Sequence, residues 1–314
     1  MKDAIQSQIL KTDKKFIDQA AFAKWVIDRF GEKGKKWLDE LPNIISELAE
    51  LWGLCDIIPL SDSNYNFTAF CQINDSQSAF LKIGCPWSGI DSEIAALSEI
   101  KSDLLLKPLA VDKPKEAILL PRLLPGKPLH SIEDEEKQNI IAATLMSNLN
   151  STQESQYNFP TLKGWFSKLA DFLSSPNSLI PHSYLHNAMS MFQELESSKD
   201  HDALLHGDLH HYNIISDGDT WRIIDPKGVI GNPLYETACF MHNPMQFLKY
   251  HDLNRIIKAR LAIFSEILGY HPQQIAMMAY CQSVLSACWC TEDKQDCWEN
   301  ALNCADLFYY SFFG

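Results

Sequence analysis

The sequence predicts an α+β chain in two unequal lobes, a small N-terminal lobe with an antiparallel sheet and a larger, mainly helical C-terminal lobe. Three observations carry the prediction. β-forming residues gather in Phe67–Ile73, Ser78–Ile83 and Ala117–Leu120. Helical periodicity dominates beyond Ser131. Between the two patterns, Pro121, Pro125, Gly126 and Pro128 crowd together, a composition that reads as a hinge. The expected boundaries are therefore 1–120 for the first lobe, 121–128 for the hinge and 129–314 for the second lobe.

Taken in order, Phe16, Ala20, Ala23, Ile27 and Phe30 recur at helical steps, and Gly31 closes the run. A second helix is expected over Leu41–Leu51, with Pro42 in its first turn and Gly53 after its end. Asn74-Asp75-Ser76-Gln77 is the turn of a hairpin between the first two strands, and Gly84 and Pro86 end the second strand. Asp91–Ile100 returns to helix. In the helical lobe, short apolar runs at Ala203–Leu205, Ile214–Ile215 and Arg222–Ile224 alternate with turns and predict a small β insert.

Length and composition narrow the function classes. A chain of 314 residues suits one large domain or two lobes, at roughly 150 residues per domain. The formal net charge of −13 opposes a broad nucleic-acid surface. No apolar run approaches the roughly 18 residues of a membrane span, so no membrane partner is expected. Met1–Gln6 has no apolar signal core, and a cytoplasmic location is expected. The nine cysteines lack a C-x-x-C pair and are expected as reduced thiols. The run Cys281, Cys288, Cys290, Cys297 and Cys304 contains steps of seven and reads as one face of C-terminal helices rather than a metal site.

The informative stretch is Leu205-His206-Gly207-Asp208-Leu209-His210-His211-Tyr212-Asn213, followed by Ile224-Asp225-Pro226-Lys227-Gly228. Asp208, Asn213 and Asp225 each lie on a polar loop beyond a short apolar strand. A hairpin turning at Ser216-Asp217-Gly218-Asp219 would bring Asn213 beside Asp225. Phosphoryl transfer needs such a set: a carboxylate to accept the proton of an attacking hydroxyl, and hard oxygen ligands for Mg²⁺. Lys82 adds a second signal, because a charge inside Ala79-Phe80-Leu81-Lys82-Ile83 calls for a partner. Glu93, on the next helix, is the candidate. The plainer alternatives are turn chemistry for the loop residues, a solvent-facing Lys82, and Glu93 as an ordinary first-turn acid.

These motifs carry a resemblance. H-G-D-x-x-x-x-N followed by I-D resembles the catalytic and metal loops of the protein-kinase-like antibiotic phosphotransferases. The run D-P-K-G-x-x-G-N-P-x-Y-E from Asp225 to Glu236 is similar to one branch, the aminoglycoside (streptomycin)/hydroxyurea kinases. Trp37–Pro42, Leu51–Leu54, Leu119–Gly126 and Ser286–Trp289 resemble the same branch, so the likeness spans about 35–295. It implies a bilobal protein-kinase-like fold with MgATP between the lobes and transfer of the γ-phosphate to a small-molecule hydroxyl. Carried over, Asp208 is the catalytic base, Asn213 and Asp225 are Mg²⁺ ligands, and His206 anchors the loop. Lys82, paired with Glu93, positions the nucleotide phosphates, and Arg122 and Leu123 lie at the adenine contact.

The sequence also departs from the family pattern. Ser61–Asn66 stands where a Gly-rich phosphate loop is usual, Pro121 occupies a hinge position that is commonly acidic, and Asn232 and Glu236 replace more usual Asp residues. Lys227, Glu236, Glu292 and Asp293 are candidate acceptor contacts. His210 and His211 are expected to flank the acceptor, with at least one exposed. Two other classes remain open: a nucleotide-binding pseudokinase, and a metal-dependent hydrolase built on His206, Asp208, His210 and His211.

Overall fold

The computed structural model describes residues 20–60, 66–85, 89–149, 155–176, 178–243, 253–293 and 296–312. Phe16, Pro86 and Ser61–Tyr65 of the expected phosphate loop lie outside the described residues. The chain divides into two compact units. One holds the residues up to Leu97 together with Leu106–Leu123; the other holds Ser98–Leu105 and everything from Leu124 onward.

The first unit opens with helix α1 (Ala20–Trp52), kinked at Gly31, whose φ of 58° leaves the helical region. The expected break is there, but helix resumes at once instead of at Leu41. Pro42 therefore sits inside the helix, where its missing N–H leaves one carbonyl without its usual donor. Ile27 is exposed, and the buried stripe before the kink is Phe22 and Val26. Strands β1 (Leu54–Pro59), β2 (Asn66–Ile73), β3 (Gln77–Gly84), β4 (Ala110–Asp112) and β5 (Ala117–Pro121) form an antiparallel sheet in the order β1-β2-β3-β5-β4. The β2–β3 hairpin turns through Asn74 and Asp75, both at positive φ.

Strand alternation gives this sheet two different faces. Phe67, Ala69, Cys71, Ala79, Leu81 and Ile83 pack with Trp37, Leu41, Ile45 and Leu48 of α1 in one apolar core. The residues between them, Thr68, Phe70, Phe80 and Lys82, face the other way. Helix α2 (Ile90–Glu99) follows β3.

In the second unit, β6 (Pro125–Pro128), β8 (Ile214–Asp217) and β9 (Thr220–Ile223) form one small sheet, while β7 (Ala203–Leu205) pairs with β10 (Val229–Gly231). Part of the Pro/Gly cluster is thus a strand: Pro125 and Pro128 align with Asp217 and Ile215. Helices α3 (Glu135–Ser147), α4 (Leu162–Ser167), α5 (Leu169–Ser174), α6 (His182–Ser197), α7 (Tyr235–His242), α8 (Leu253–Leu268), α9 (Pro272–Glu292) and α10 (Trp298–Phe312) make up the rest. Every residue from Ile275 to Leu285 of α9 is buried, so this helix is the axis of the unit's core. Arg260 of α8 is 2% exposed. Its guanidinium donates to the carbonyls of Phe240, Met241 and Asn243 and pairs with Glu135, closing the C-terminal end of α7 with a cation.

One cysteine expectation is overturned. Cys290 and Cys297 form a disulfide, while the other seven cysteines are free thiols. The seven-residue step suggested a shared helical face, but α9 ends at Glu292. The Cα atoms of the two cysteines stand 5.8 Å apart, within disulfide reach.

Candidate active site

Each unit holds one cluster of the expected residues. In the first, Lys82 on β3 meets Glu93 in the first turn of α2. The ammonium is 2.9 Å from Oε1 and 2.7 Å from Oε2, and the side chains are 4% and 10% exposed. Placement on the face away from the α1 core explains how an apolar strand can carry this charge. Arg122 and Leu123 follow β5. The Arg122 guanidinium lies 3.9 Å over the ring of Phe70, and the Arg122 backbone N–H donates to the Ser78 carbonyl.

In the second unit, β7 delivers the chain to His206 and β9 delivers it to Asp225. His206 is fully buried and joins the two loops through both ring nitrogens. Nε2 lies 2.8 Å from the Ile224 carbonyl and donates to it, while Nδ1 accepts the Asp208 N–H at 3.1 Å. That pairing requires the neutral imidazole, and burial holds the His206 pKa down at about 4. Its carbonyl also accepts the N–H groups of Lys227 and Gly228.

Glu236 of α7, suggested by sequence as an acceptor contact, instead braces the loop from beneath. It is 9% exposed, and its carboxylate accepts the N–H groups of His206 and Gly207. Burial pushes its pKa up to about 7, against the lowering effect of those two donors. Gly207 is required for the close approach. Its φ is +80°, and a Cβ would stand 2.7 Å from Val229 Cγ1.

Asp208 projects from this support with its side chain 31% exposed. Its oxygens lie 3.9 Å from the Lys227 ammonium and 3.7 Å from His210 Nε2. The Asn213 amide nitrogen donates to the Asp208 carbonyl at 2.8 Å, so its Oδ1 remains an acceptor. The Asn213 carbonyl accepts the Ile224 N–H at 3.0 Å, which sets Asn213 beside the start of the second loop as the hairpin predicted. Asp225 holds a φ of 61°, a left-handed conformation that costs a non-glycine residue about 1 kcal/mol and redirects its side chain. Asn213 Oδ1 and the Asp225 carboxylate are hard oxygen donors, and the pair fits Mg²⁺, which takes few protein ligands.

Two histidine expectations change. His211 is fully buried and stacks on Phe240 with ring centroids 3.8 Å apart, so it does not flank an acceptor. His210 is only half-buried, and its Nδ1 accepts the Tyr212 N–H. The metal-hydrolase arrangement loses its ligands accordingly: both nitrogens of His206 are occupied and His211 points into the core. Among the described residues, the group able to converge on a metal is Cys55, Asp56 and Asp75, in the first unit.

Glu292 and Asp293 end α9, with Glu292 exposed and the Asp293 N–H bonded to the Trp289 carbonyl. Lys294 and Gln295 lie outside the described residues. Sequence reasoning missed the bracing role of Glu236. Its signal is a lone acid within Tyr235–His242, a run buried at every position.

Comparison with known proteins identifies the family and the fold. The Aminoglycoside/hydroxyurea antibiotic resistance kinase profile matches residues 69–294. A streptomycin 6-kinase of Streptomyces glaucescens is 24% identical over 277 residues, covering 84% of this chain and 87% of that protein. An aminoglycoside phosphotransferase solved with ADP and hygromycin B superposes with a TM-score of 0.60 at 14% identity, over 86% of this chain and 98% of that one. The choline kinase LicA of Streptococcus pneumoniae gives 0.60 at 14% identity, over 87% and 98%. The fold is kinase-like, and the chain belongs to the aminoglycoside/hydroxyurea antibiotic resistance kinase family.

Proposed function

We propose that this chain transfers the γ-phosphate of ATP to a hydroxyl of a small, aminoglycoside-like acceptor. The observation that carries the reading is the His206 junction. One neutral imidazole fixes the backbone of Asp208 and the residue before Asp225, so a proton acceptor and an oxygen ligand share one rigid support. Family membership and the likeness to streptomycin 6-kinase favour an antibiotic acceptor.

Asp208 orients the acceptor hydroxyl and takes its proton as the oxygen bonds to the γ-phosphorus and the bond to the bridging oxygen of ADP breaks. Lys227, beside Asp208, is placed to meet phosphate charge. Lys82, held by Glu93, contacts the nucleotide phosphates. Asn213 and Asp225 would hold Mg²⁺, which when bound neutralises charge on the transferring group.

The test is ADP release from MgATP with streptomycin, hygromycin B, choline and hydroxyurea as acceptors. Asp208→Asn should abolish acceptor-dependent turnover and leave ATP binding intact. Turnover that survives this change removes Asp208 from the mechanism, and ATP binding with no turnover of any hydroxyl compound favours the pseudokinase.

A further inference from the structure

An aromatic chain leads away from the catalytic loop in the second unit, and no role has been given to it. Tyr235 is fully buried directly before Glu236, whose carboxylate accepts the His206 and Gly207 N–H groups, and burial raises the Tyr235 phenol pKa well above the usual value. The Tyr235 ring lies 6.0 Å from Trp165, and Trp165 lies 5.6 Å from Trp289, edge to face at 85°. Both indoles are only half-buried, whereas Tyr235 at the inner end is sealed.

Trp165 is fixed to the catalytic loops by backbone as well as by ring contact. The Ile230 N–H of β10 donates to the Pro160 carbonyl, Thr161 bridges to Ile230, and Thr161 caps α4, which carries Trp165. Trp289 opens the last turn of α9, with exposed Glu292 three residues on and Asp293 four residues on. The segment after it is tied back by the Cys290–Cys297 disulfide.

Two partly exposed indoles, with an exposed carboxylate about one helical turn beyond Trp289, form a surface that attracts organic cations. The π face binds ammonium or guanidinium groups, and the acid adds charge. We infer that Trp165 and Trp289 form the acceptor's recognition shelf, holding a guanidinium or ammonium group while the reacting hydroxyl sits at Asp208. The shelf makes aromatic contact, not the Glu292 and Asp293 carboxylates alone, the main determinant of acceptor choice. The inference rests on the phosphotransfer reading and adds to it the residues that select the acceptor.

The experiment measures acceptor and ATP saturation, with streptomycin, hygromycin B and choline as cationic acceptors and hydroxyurea as the uncharged one. Trp289→Leu keeps apolar bulk and removes the π face. It should raise the KM of the preferred cationic acceptor about tenfold, with kcat within about threefold and the KM for ATP unchanged. Trp289→Tyr should recover most of the loss, and Trp165→Leu should behave like Trp289→Leu. An unchanged acceptor KM in both Leu variants overturns the shelf. So does a KM rise that Trp289→Tyr fails to recover, or a wild-type enzyme that turns over hydroxyurea and none of the cations. A wild-type protein whose ADP release none of these acceptors raises above the acceptor-free rate refutes the phosphotransfer reading instead, so the two failures are separable.

Discussion

The functional clusters of the two units handle buried charge in opposite ways. The first holds a side-chain ion pair, Lys82 with Glu93, on the sheet face opposite its apolar core. The second places a neutral imidazole and a buried carboxylate against backbone groups: His206 on Ile224 and Asp208, Glu236 on His206 and Gly207. An ion pair fixes two side chains. Side chains bound to backbone fix the path of a loop. The difference matches the tasks proposed for each, since a phosphate contact needs a charge at one point, whereas a catalytic loop needs Asp208, Asn213 and Asp225 held in register.

Breaking the chemistry without touching the support should give the largest effect. Asp208→Asn leaves the backbone N–H to His206 and the carbonyl to Asn213 in place, so the fold is expected to keep its melting temperature. Loss of a general base typically lowers kcat by about 10²–10⁴. Steady-state ADP release beside a thermal melt checks both halves, and a variant that retains more than a tenth of wild-type kcat contradicts the role of Asp208.

Breaking the ion pair should instead cost stability and activity together. Glu93→Ala strands the Lys82 ammonium at 4% exposure, and removing one partner of a buried pair typically costs about 3–5 kcal/mol. Urea unfolding of Glu93→Ala should show that loss, and a Lys82→Met/Glu93→Leu double variant should recover part of the stability with no recovery of turnover. If the single variant loses less than about 1 kcal/mol, the pair is not buried as described.

Acidity should separate the units further. His206 and His242 are buried with pKa values held at about 4, and burial also holds His211 well below its usual value. Between about pH 6.5 and 4 the unfolded chain binds protons that these folded histidines refuse. Stability therefore falls as pH drops through that window, by up to about 3 kcal/mol for a shift the size of that of His206. Glu236 acts in the opposite direction. With its pKa raised to about 7, the folded state binds a proton that the unfolded state releases, and this contribution is lost as pH rises from about 4.5 to 7. Glu236→Gln should accordingly steepen the acid loss. In the first unit, buried Cys71 and Cys85 have thiols pushed up to about 11 and stay neutral throughout the window. Urea midpoints at pH 7 and pH 5 give the measurement, and a flat profile rejects the buried neutral histidines.

The parts of this contrast that were legible in sequence are those announced by an anomaly or a spacing. Lys82 stood out as a charge in an apolar strand, and its partner lay on the next helix. Asp208, Asn213 and Asp225 stood out by position around a short hairpin. The support was not legible, because its bonds run from side chains to backbone: nothing in the residue types tells which carbonyl His206 will meet or that Glu236 will turn inward beneath Gly207. The same limit explains Pro42, whose place in the helix depended on the chain resuming helix directly after Gly31, and His211, whose stacking on Phe240 joins residues 29 apart in sequence. Periodicity reports which face of an element is apolar, not what that face will meet.

The smallest expected effect concerns the one covalent tie. Cys290–Cys297 closes a short loop at the end of α9, and the chain entropy removed from the unfolded state by so short a closure is worth about 2 kcal/mol. The first unit's thiols, Cys55, Cys71 and Cys85, are free, so a reductant should act on the second unit alone. Dithiothreitol is expected to lower the unfolding midpoint of the wild type by that amount. A Cys290→Ser/Cys297→Ser double variant should start from the lowered value and not respond. Thiol counting on the unfolded, unreduced protein should give seven reactive cysteines of the nine. Nine reactive thiols, with a midpoint indifferent to reductant, would show that the loop after Trp289 is held by packing alone, and the contrast between the units would then rest entirely on their non-covalent charge networks.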